Sequence, residues 1–266
     1  MPWPLLEPSP FSTSHWGTLF FFVDAVAGPE GEHSWAKHYP YCGGAFQSPI
    51  NIKPELLRFD PTLRPVEVQN YNLSLHVNSE ESVLAGEPNF SQLHFHWGSS
   101  GRPAGSEHMV NGRQYAAEMH VVHYNSDKYP NMSTAVDKSD GLAVLGVLIE
   151  VGEFNPAFEQ FLKFINGIKY RGEVQVPGFN IRALLPARLD EYYRYDGSLT
   201  TPPCYPSVLW TVFRNHVTIS GKQVLCQQLL NQISRHFLYG VPLSFNLNCV
   251  EKARLYVTGF CFLVSS

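Results

Sequence analysis

His94 and His96 stand two residues apart in the segment 92–98 (QLHFHWG), and His120 stands in the segment 114–125 (QYAAEMHVVHYN). On an extended strand, positions i and i+2 project from the same face. Two imidazoles so placed converge on one point above a sheet, and a third from a neighbouring strand can join them. Three histidines with no cysteine form the ligand set of a catalytic zinc ion (Zn2+) with an open fourth position, not that of a closed structural site. Neutral imidazoles leave the full double charge on the ion, and water bound to such an ion is acidified to a pKa near ~7. Gln92 shares the parity of His94, and Glu118 that of His120. Either can accept the free N–H of a ligand ring and fix its orientation. The His-x-His spacing taken alone also describes two ordinary histidines on a half-exposed strand. His123 has the opposite parity to His120 and is not expected to be a ligand. The other histidines of the 11 carry no such pattern.

These side chains need strands to aim them. Residues 92–98 alternate and end at Gly98, which predicts a strand. Residues 99–113 (SSGRPAGSEHMVNGR) read as a turn-rich connection, and 114–125 return to a strand pattern, so the two segments are expected to pair antiparallel. Leu142–Val151 is a continuous apolar run, as for a central strand buried on both faces. Phe158, Phe161, Leu162, Ile165 and Ile168 fall on one helical face and predict a short helix over 156–168. Residues 208–214 (VLWTVFR) predict another strand. Ser220 and Gln223 make a capping-box pattern before a helix through about Leu238, stopped by Gly240 and Pro242. Residues 40–50 read as a loop. The whole is mainly β, one domain with a few short helices.

Composition narrows the function classes. The 266 residues carry a net charge of −4 and no long Lys/Arg cluster, which argues against a nucleic-acid binder held by phosphate contacts. A hydrophobic share of 44% supplies a core and excludes wholesale disorder. No apolar run reaches the ~18 residues of a membrane span. Residues 19–23 (LFFFV) before Ala25-Val26-Ala27 are signal-like, although no Lys or Arg precedes them. Asn72, Asn89 and Asn131 each begin an Asn-x-Ser glycosylation acceptor, which matters in the secretory pathway.

Longer stretches carry a resemblance. Gln92-Leu-His-Phe-His-Trp-Gly98, Gly105-Ser-Glu-His108 and Ala117-Glu-Met-His-Val-Val-His-Tyr-Asn125 resemble the α-class carbonic anhydrases. So do Gln47-Ser-Pro-Ile-Asn51, Gly141-Leu-Ala-Val-Leu-Gly146 and Tyr195-Asp-Gly-Ser-Leu-Thr-Thr-Pro-Pro-Cys204, followed by Trp210. The likeness covers roughly residues 28–75 and 91–220. It implies a single domain around a large, mostly antiparallel twisted sheet with peripheral helices, and the reversible hydration of carbon dioxide to bicarbonate. It also implies inhibition by sulfonamides. His94, His96 and His120 match the family's zinc ligands. Thr200 matches the hydroxyl that accepts a hydrogen bond from zinc-bound hydroxide and donates one to Glu107. Thr201 matches a substrate contact, and Val122, Val144, Leu199, Val208 and Trp210 match the apolar wall around carbon dioxide. Cys42 and Cys204 sit where extracellular and membrane-anchored members carry a disulfide, the alternative being two free buried thiols. The phrases HYNSDKYP and YYRYDGSLTTPPC look most like that branch, so an extracellular or secretory location is expected.

The sequence departs from the family in three places. Residues 1–27 form an atypical N-terminal segment, with about ten residues between His15-Trp16-Gly17 and Gly28. The stretch from Leu75 to Ser91 is short and lacks the Asn-x-x-His-Ser motif that carries the family's proton-shuttle histidine, and no motif supports His76 as its replacement. Residues 221–266 replace the family's usual ending, leaving 28–220 as the expected domain. The resemblance therefore leaves the proton shuttle unassigned. It also admits two other functions, a non-catalytic carbonic-anhydrase-like binding domain or a catalytically impaired variant.

Overall fold

The computed structural model describes residues 32–69, 71–78, 84–85, 90–98, 103–168 and 173–224. The expectations for residues 1–27, for Asn89 and for the helix beyond residue 224 fall outside these residues. Twelve strands are described. They are β1 (Asn51–Ile52), β2 (Asn72–Asn78), β3 (Leu84–Ala85), β4 (Phe90–Trp97), β5 (Met109–Val110) and β6 (Arg113–Gln114). The later six are β7 (Ala117–Tyr124), β8 (Leu142–Val151), β9 (Glu173–Asn180), β10 (Tyr192–Gly197), β11 (Val208–Phe213) and β12 (Val217–Ile219). The α-helices are α1 (Trp35–His38), α2 (Met132–Ala135) and α3 (Pro156–Ile168).

The main sheet runs β10-β11-β8-β7-β4, with β12 also paired to β8. The β4–β7, β7–β8 and β10–β11 pairs are antiparallel, and β8 is parallel to both β11 and β12. The apolar run Leu142–Val151 forms β8 over its full expected length, and residues 144–149 are all buried. A strand covered on both faces has no solvent side to mark with polar residues, which accounts for its continuous hydrophobicity.

Each face of the sheet builds a core. Behind it, Leu93, Met119, Val121, Leu145, Val147 and Ile149 pack with Phe158 and Phe161 of α3. On the other face, Val122, Val144, Leu148, Val208, Trp210 and Val212 pack together with Ile52 and Leu142. Phe95 lies 5.2 Å from Phe161 ring to ring, so the strand carrying His94 and His96 rests on α3 through the residue between them. The period of two thus puts the aliphatic and aromatic anchors behind and the imidazoles in front.

Two local readings are corrected. The strand expected over 114–125 begins at Ala117, because Arg113–Gln114 pairs instead with Met109–Val110. Between them Asn111 and Gly112 both take positive φ, 52° and 75°. That backbone suits a two-residue hairpin turn, and Asn-Gly is the dipeptide that adopts it at least cost. Residues 40–43, read as part of a loop, form a 3-10 turn. At residues 220–223 the capping box forms as expected. Ser220 N–H donates to Gln223 Oε1 at 2.9 Å, and Gln223 N–H reaches Ser220 Oγ at 3.4 Å.

Cys42 and Cys204 form a disulfide with their Cα atoms 5.0 Å apart, across a separation of 162 residues. In the chain-entropy treatment, closing a loop of that size stabilises the folded state by about 5 kcal/mol at most. Replacing both cysteines by serine is expected to lower the denaturant midpoint of unfolding. Adding reductant should lower the parent's midpoint and leave that of the double variant where it is; a parent indifferent to reductant would contradict the expectation.

Candidate metal centre

The antiparallel register sets His94 of β4 directly opposite His120 of β7, and His96 opposite Glu118. Across β7, Glu118 faces Leu148, His120 faces Gly146 and Val122 faces Val144 of β8. One ring nitrogen from each of His94, His96 and His120 can be chosen so that all three lie within 4.8 Å of one another. The rings stand 4.7–5.1 Å apart by centroid. His120 Nδ1 is 3.2 Å from His94 Nε2.

Glu118, at the next inward position of β7, accepts a hydrogen bond from His120 Nε2 at 2.7 Å. That bond places the ring proton of His120 on Nε2 and leaves Nδ1 with its lone pair toward the other two histidines. His94 Nδ1 and His96 Nε2 are buried without a hydrogen-bond partner. Buried ring nitrogens lacking partners are costly in a closed core. A cation shared by His94 Nε2, His120 Nδ1 and His96 Nε2 would remove that cost for His96, and borderline-soft nitrogen donors in a set of three suit zinc. The residues present therefore fit the ion that their spacing implies.

Electrostatics keep the rings ready to act as ligands. Both His94 and His96 are held below the ordinary imidazole range, first by desolvation and then by the neighbouring His120. Burial alone would raise Glu118, but the positive charge available at His120 and the hydrogen bonds from His108 and His120 outweigh it and hold its carboxyl well below the usual range. Glu107 behaves oppositely. Burial pushes it up to about 8, Glu118 adds repulsion, and a hydrogen bond from the Thr200 hydroxyl acts in the other direction. Its Oε1 lies 3.3 Å from His96 Nδ1. A divalent charge held by the three imidazoles favours the ionised form of this carboxyl.

The loop carrying Glu107 is pinned to the sheet. Ser106 Oγ donates to the His108 carbonyl at 2.8 Å and accepts from Tyr115 N–H at 2.8 Å, while Met109 N–H bonds the Ile50 carbonyl at 3.2 Å. Val122, Val144, Val208 and Trp210 lie in one buried cluster on the histidine face, and Leu199 packs against it. Thr200 and Thr201 follow Leu199 and are half-buried; the Thr201 carbonyl accepts from Cys204 N–H at 2.9 Å. Gln92 pairs with Val122 in β4, and its side chain lies outside the described residues. Asn72 opens β2. Asn131 caps α2, its side-chain oxygen accepting from Thr134 N–H at 3.0 Å. His123, turned away from the centre, bonds Tyr71 Oη at 2.8 Å.

His108 is the residue that reading the sequence missed. It is fully buried, donates its backbone N–H to Glu118 Oε2 at 2.8 Å and places Nδ1 2.6 Å from Glu118 Oε1. Its position beside Glu107, just ahead of an Asn-Gly hairpin signal, was the available clue.

A trio of histidines on two strands of a mixed sheet, backed by a buried glutamate and walled by aliphatic side chains, is the arrangement of an α-class carbonic anhydrase. The sequence profile of the eukaryotic-type carbonic anhydrases matches residues 30–238, and the chain belongs to that family. It is 51% identical to human "Carbonic anhydrase 12" over 237 residues, which is 82% of this chain and 65% of that protein. It is 40% identical to mouse "Carbonic anhydrase 1" over 214 residues, 73% of this chain and 81% of that one. The chain thus spans somewhat less than two thirds of the first relative. No helix among the described residues is long and apolar enough to cross a membrane.

Proposed function

We propose that the chain hydrates carbon dioxide reversibly to bicarbonate and a proton, with zinc held by His94, His96 and His120. The observation that carries this reading is the convergence of the three ring nitrogens, with His94 Nε2 3.2 Å from His120 Nδ1 and His96 Nε2 buried and partnerless. Bound zinc would supply a water acidified to a pKa near ~7, the value established for carbonic anhydrases. The chain's own residues do the rest. Thr200 donates its hydroxyl proton to Glu107, so its oxygen can only accept from the attacking O–H. That fixes the direction of the attacking lone pair. Val122, Val144, Leu199, Val208 and Trp210 form an apolar wall suited to a substrate without a net dipole, and Thr201 contacts the product anion. Glu118 orients His120, and Gln92 is assigned the same part for His94. The Cys42–Cys204 disulfide supports assembly in an oxidising compartment. The acceptors at Asn72, Asn89 and Asn131 agree with that route.

The test is metal analysis together with stopped-flow hydration of carbon dioxide on the purified chain. One zinc per chain is expected, with hydration that a sulfonamide abolishes and that rises with pH through ~7. Zinc without hydration would favour a binding domain, and no zinc would sink the proposal.

A further inference from the structure

The hydrogen bonds behind His120 do not stop at Glu118. Three N–H groups converge on that carboxylate: the His108 backbone at 2.8 Å, His108 Nδ1 at 2.6 Å and His120 Nε2 at 2.7 Å. A carboxylate only accepts, so both rings carry a proton on the nitrogen facing it. His108 is left with Nε2, which lies 2.6 Å from Tyr195 Oη. Tyr195 Oη in turn lies 2.9 Å from Ser48 Oγ.

The far end of the chain fixes its direction. Ser48 N–H donates to Ser198 Oγ at 2.9 Å, Ser198 N–H donates to Ser48 Oγ at 3.0 Å, and Ser198 Oγ gives its own proton to the Leu199 carbonyl at 2.8 Å. Ser48 Oγ therefore has its hydroxyl proton to give to Tyr195, and Tyr195 has its own to give to His108 Nε2. The protons of Ser48, Tyr195 and His108 all point toward Glu118. The packing leaves no slack. Trp210 lies 4.8 Å from both the His108 and His120 rings, stacks on Tyr195 at 6.4 Å and donates its Nε1–H to the Ser198 carbonyl at 3.0 Å. A Cβ on Gly197 would sit 2.2 Å from Ser48 Oγ and 2.6 Å from the Tyr195 ring, so the approach of these two side chains depends on a glycine there.

We propose that Tyr195 is a positioning residue of the metal centre. Its phenol fixes the tautomer and tilt of His108, and through Glu118 it holds His120 with Nδ1 bare toward the ion. Ser48 and Ser198, two segments 150 residues apart, anchor the phenol. This inference rests on the zinc reading above.

Tyr195→Phe keeps the ring stacked on Trp210 and removes only the hydroxyl. The protein is loaded with zinc, and separately with cobalt(II), and metal loss to an excess of chelator is followed beside the visible cobalt spectrum. Metal loss about tenfold faster is expected, at the lower end of what partners of ligand histidines contribute, together with shifted cobalt bands. Ser48→Ala should move both readouts in the same direction by less. Leu184→Ala, a buried lesion in the core behind the sheet, should lower the melting temperature and leave metal loss and spectrum alone. Parental metal loss and an unshifted spectrum in both Tyr195→Phe and Ser48→Ala would overturn the inference. So would an equal acceleration in Leu184→Ala, since metal loss would then only follow stability. A parent that takes up neither metal overturns the zinc reading itself, and this inference with it.

Discussion

Replacing His120 by alanine is expected to strip zinc from the chain and to lower carbon dioxide hydration by about 10³ or more, because the loss of a direct ligand costs more than the 10–100-fold loss typical of its supporting partners. His120 is the only one of the three that comes from β7, so its removal leaves two nitrogens on one strand and takes away the ring that stands opposite His94. The variant also takes one donor from Glu118, a fully buried carboxylate that keeps its bonds from His108. Part of the damage is therefore a buried charge with one partner fewer, which costs stability as well as metal. His123→Ala separates the two effects. His123 lies three residues on, with the opposite parity, and bonds Tyr71 rather than the centre. That variant should keep one zinc per chain. Zinc and hydration both surviving in His120→Ala would remove the basis of the functional proposal.

What could be read from the sequence is what is encoded locally. The period of two put His94 and His96 on one face and His120 within reach of them, and the same period told His123 apart. Leu142–Val151 and Pro156–Ile168 appear as elements over their expected ranges because each signal lies inside a single continuous segment. The centre's deeper supports are encoded differently. His108 is tied to Glu118 across a hairpin, and its role becomes visible only once Met109–Val110 and Arg113–Gln114 are paired. Ser48 and Ser198 meet from opposite ends of the domain. No pattern within either segment marks that meeting. The Cys42–Cys204 pairing is of the same kind, and it was anticipated only through kinship.

The two-faced sheet explains why the local part was enough to find the site. His94 and His96 are held from behind by Phe95 on α3, and His120 by Met119 and Val121 in the same rear core. Alternation therefore does two tasks along one strand. Every odd step buries an anchor, and every even step aims a group at the front. A shift of one residue in β4 against β7 would turn the imidazoles into the rear core and destroy both. Register at the metal centre is fixed by the packing behind it.

A small imidazole buffer is expected to raise the hydration turnover of this chain by about tenfold or more, since a diffusible base with a pKa near that of the acid can take a proton that water accepts poorly. Each hydration cycle releases a proton that must leave before the next. In the proposed mechanism the groups that orient the attack are not expected to carry it away, because the Thr200 hydroxyl bonds Glu107 and Glu118 accepts from His108 and His120. The sequence between Leu75 and Ser91 lacks the family's shuttle motif, and His76, the histidine it does contain, lies on β2, paired to β3 and β9 in a sheet separate from the one bearing the ligands. Proton export should therefore limit turnover in weak buffer, while kcat/KM for carbon dioxide, which reports the attack itself, stays constant as buffer is added. A kcat that saturates with imidazole at constant kcat/KM is the expected pattern. A kcat already maximal in weak, non-imidazole buffer would show that a group within the chain moves the proton after all.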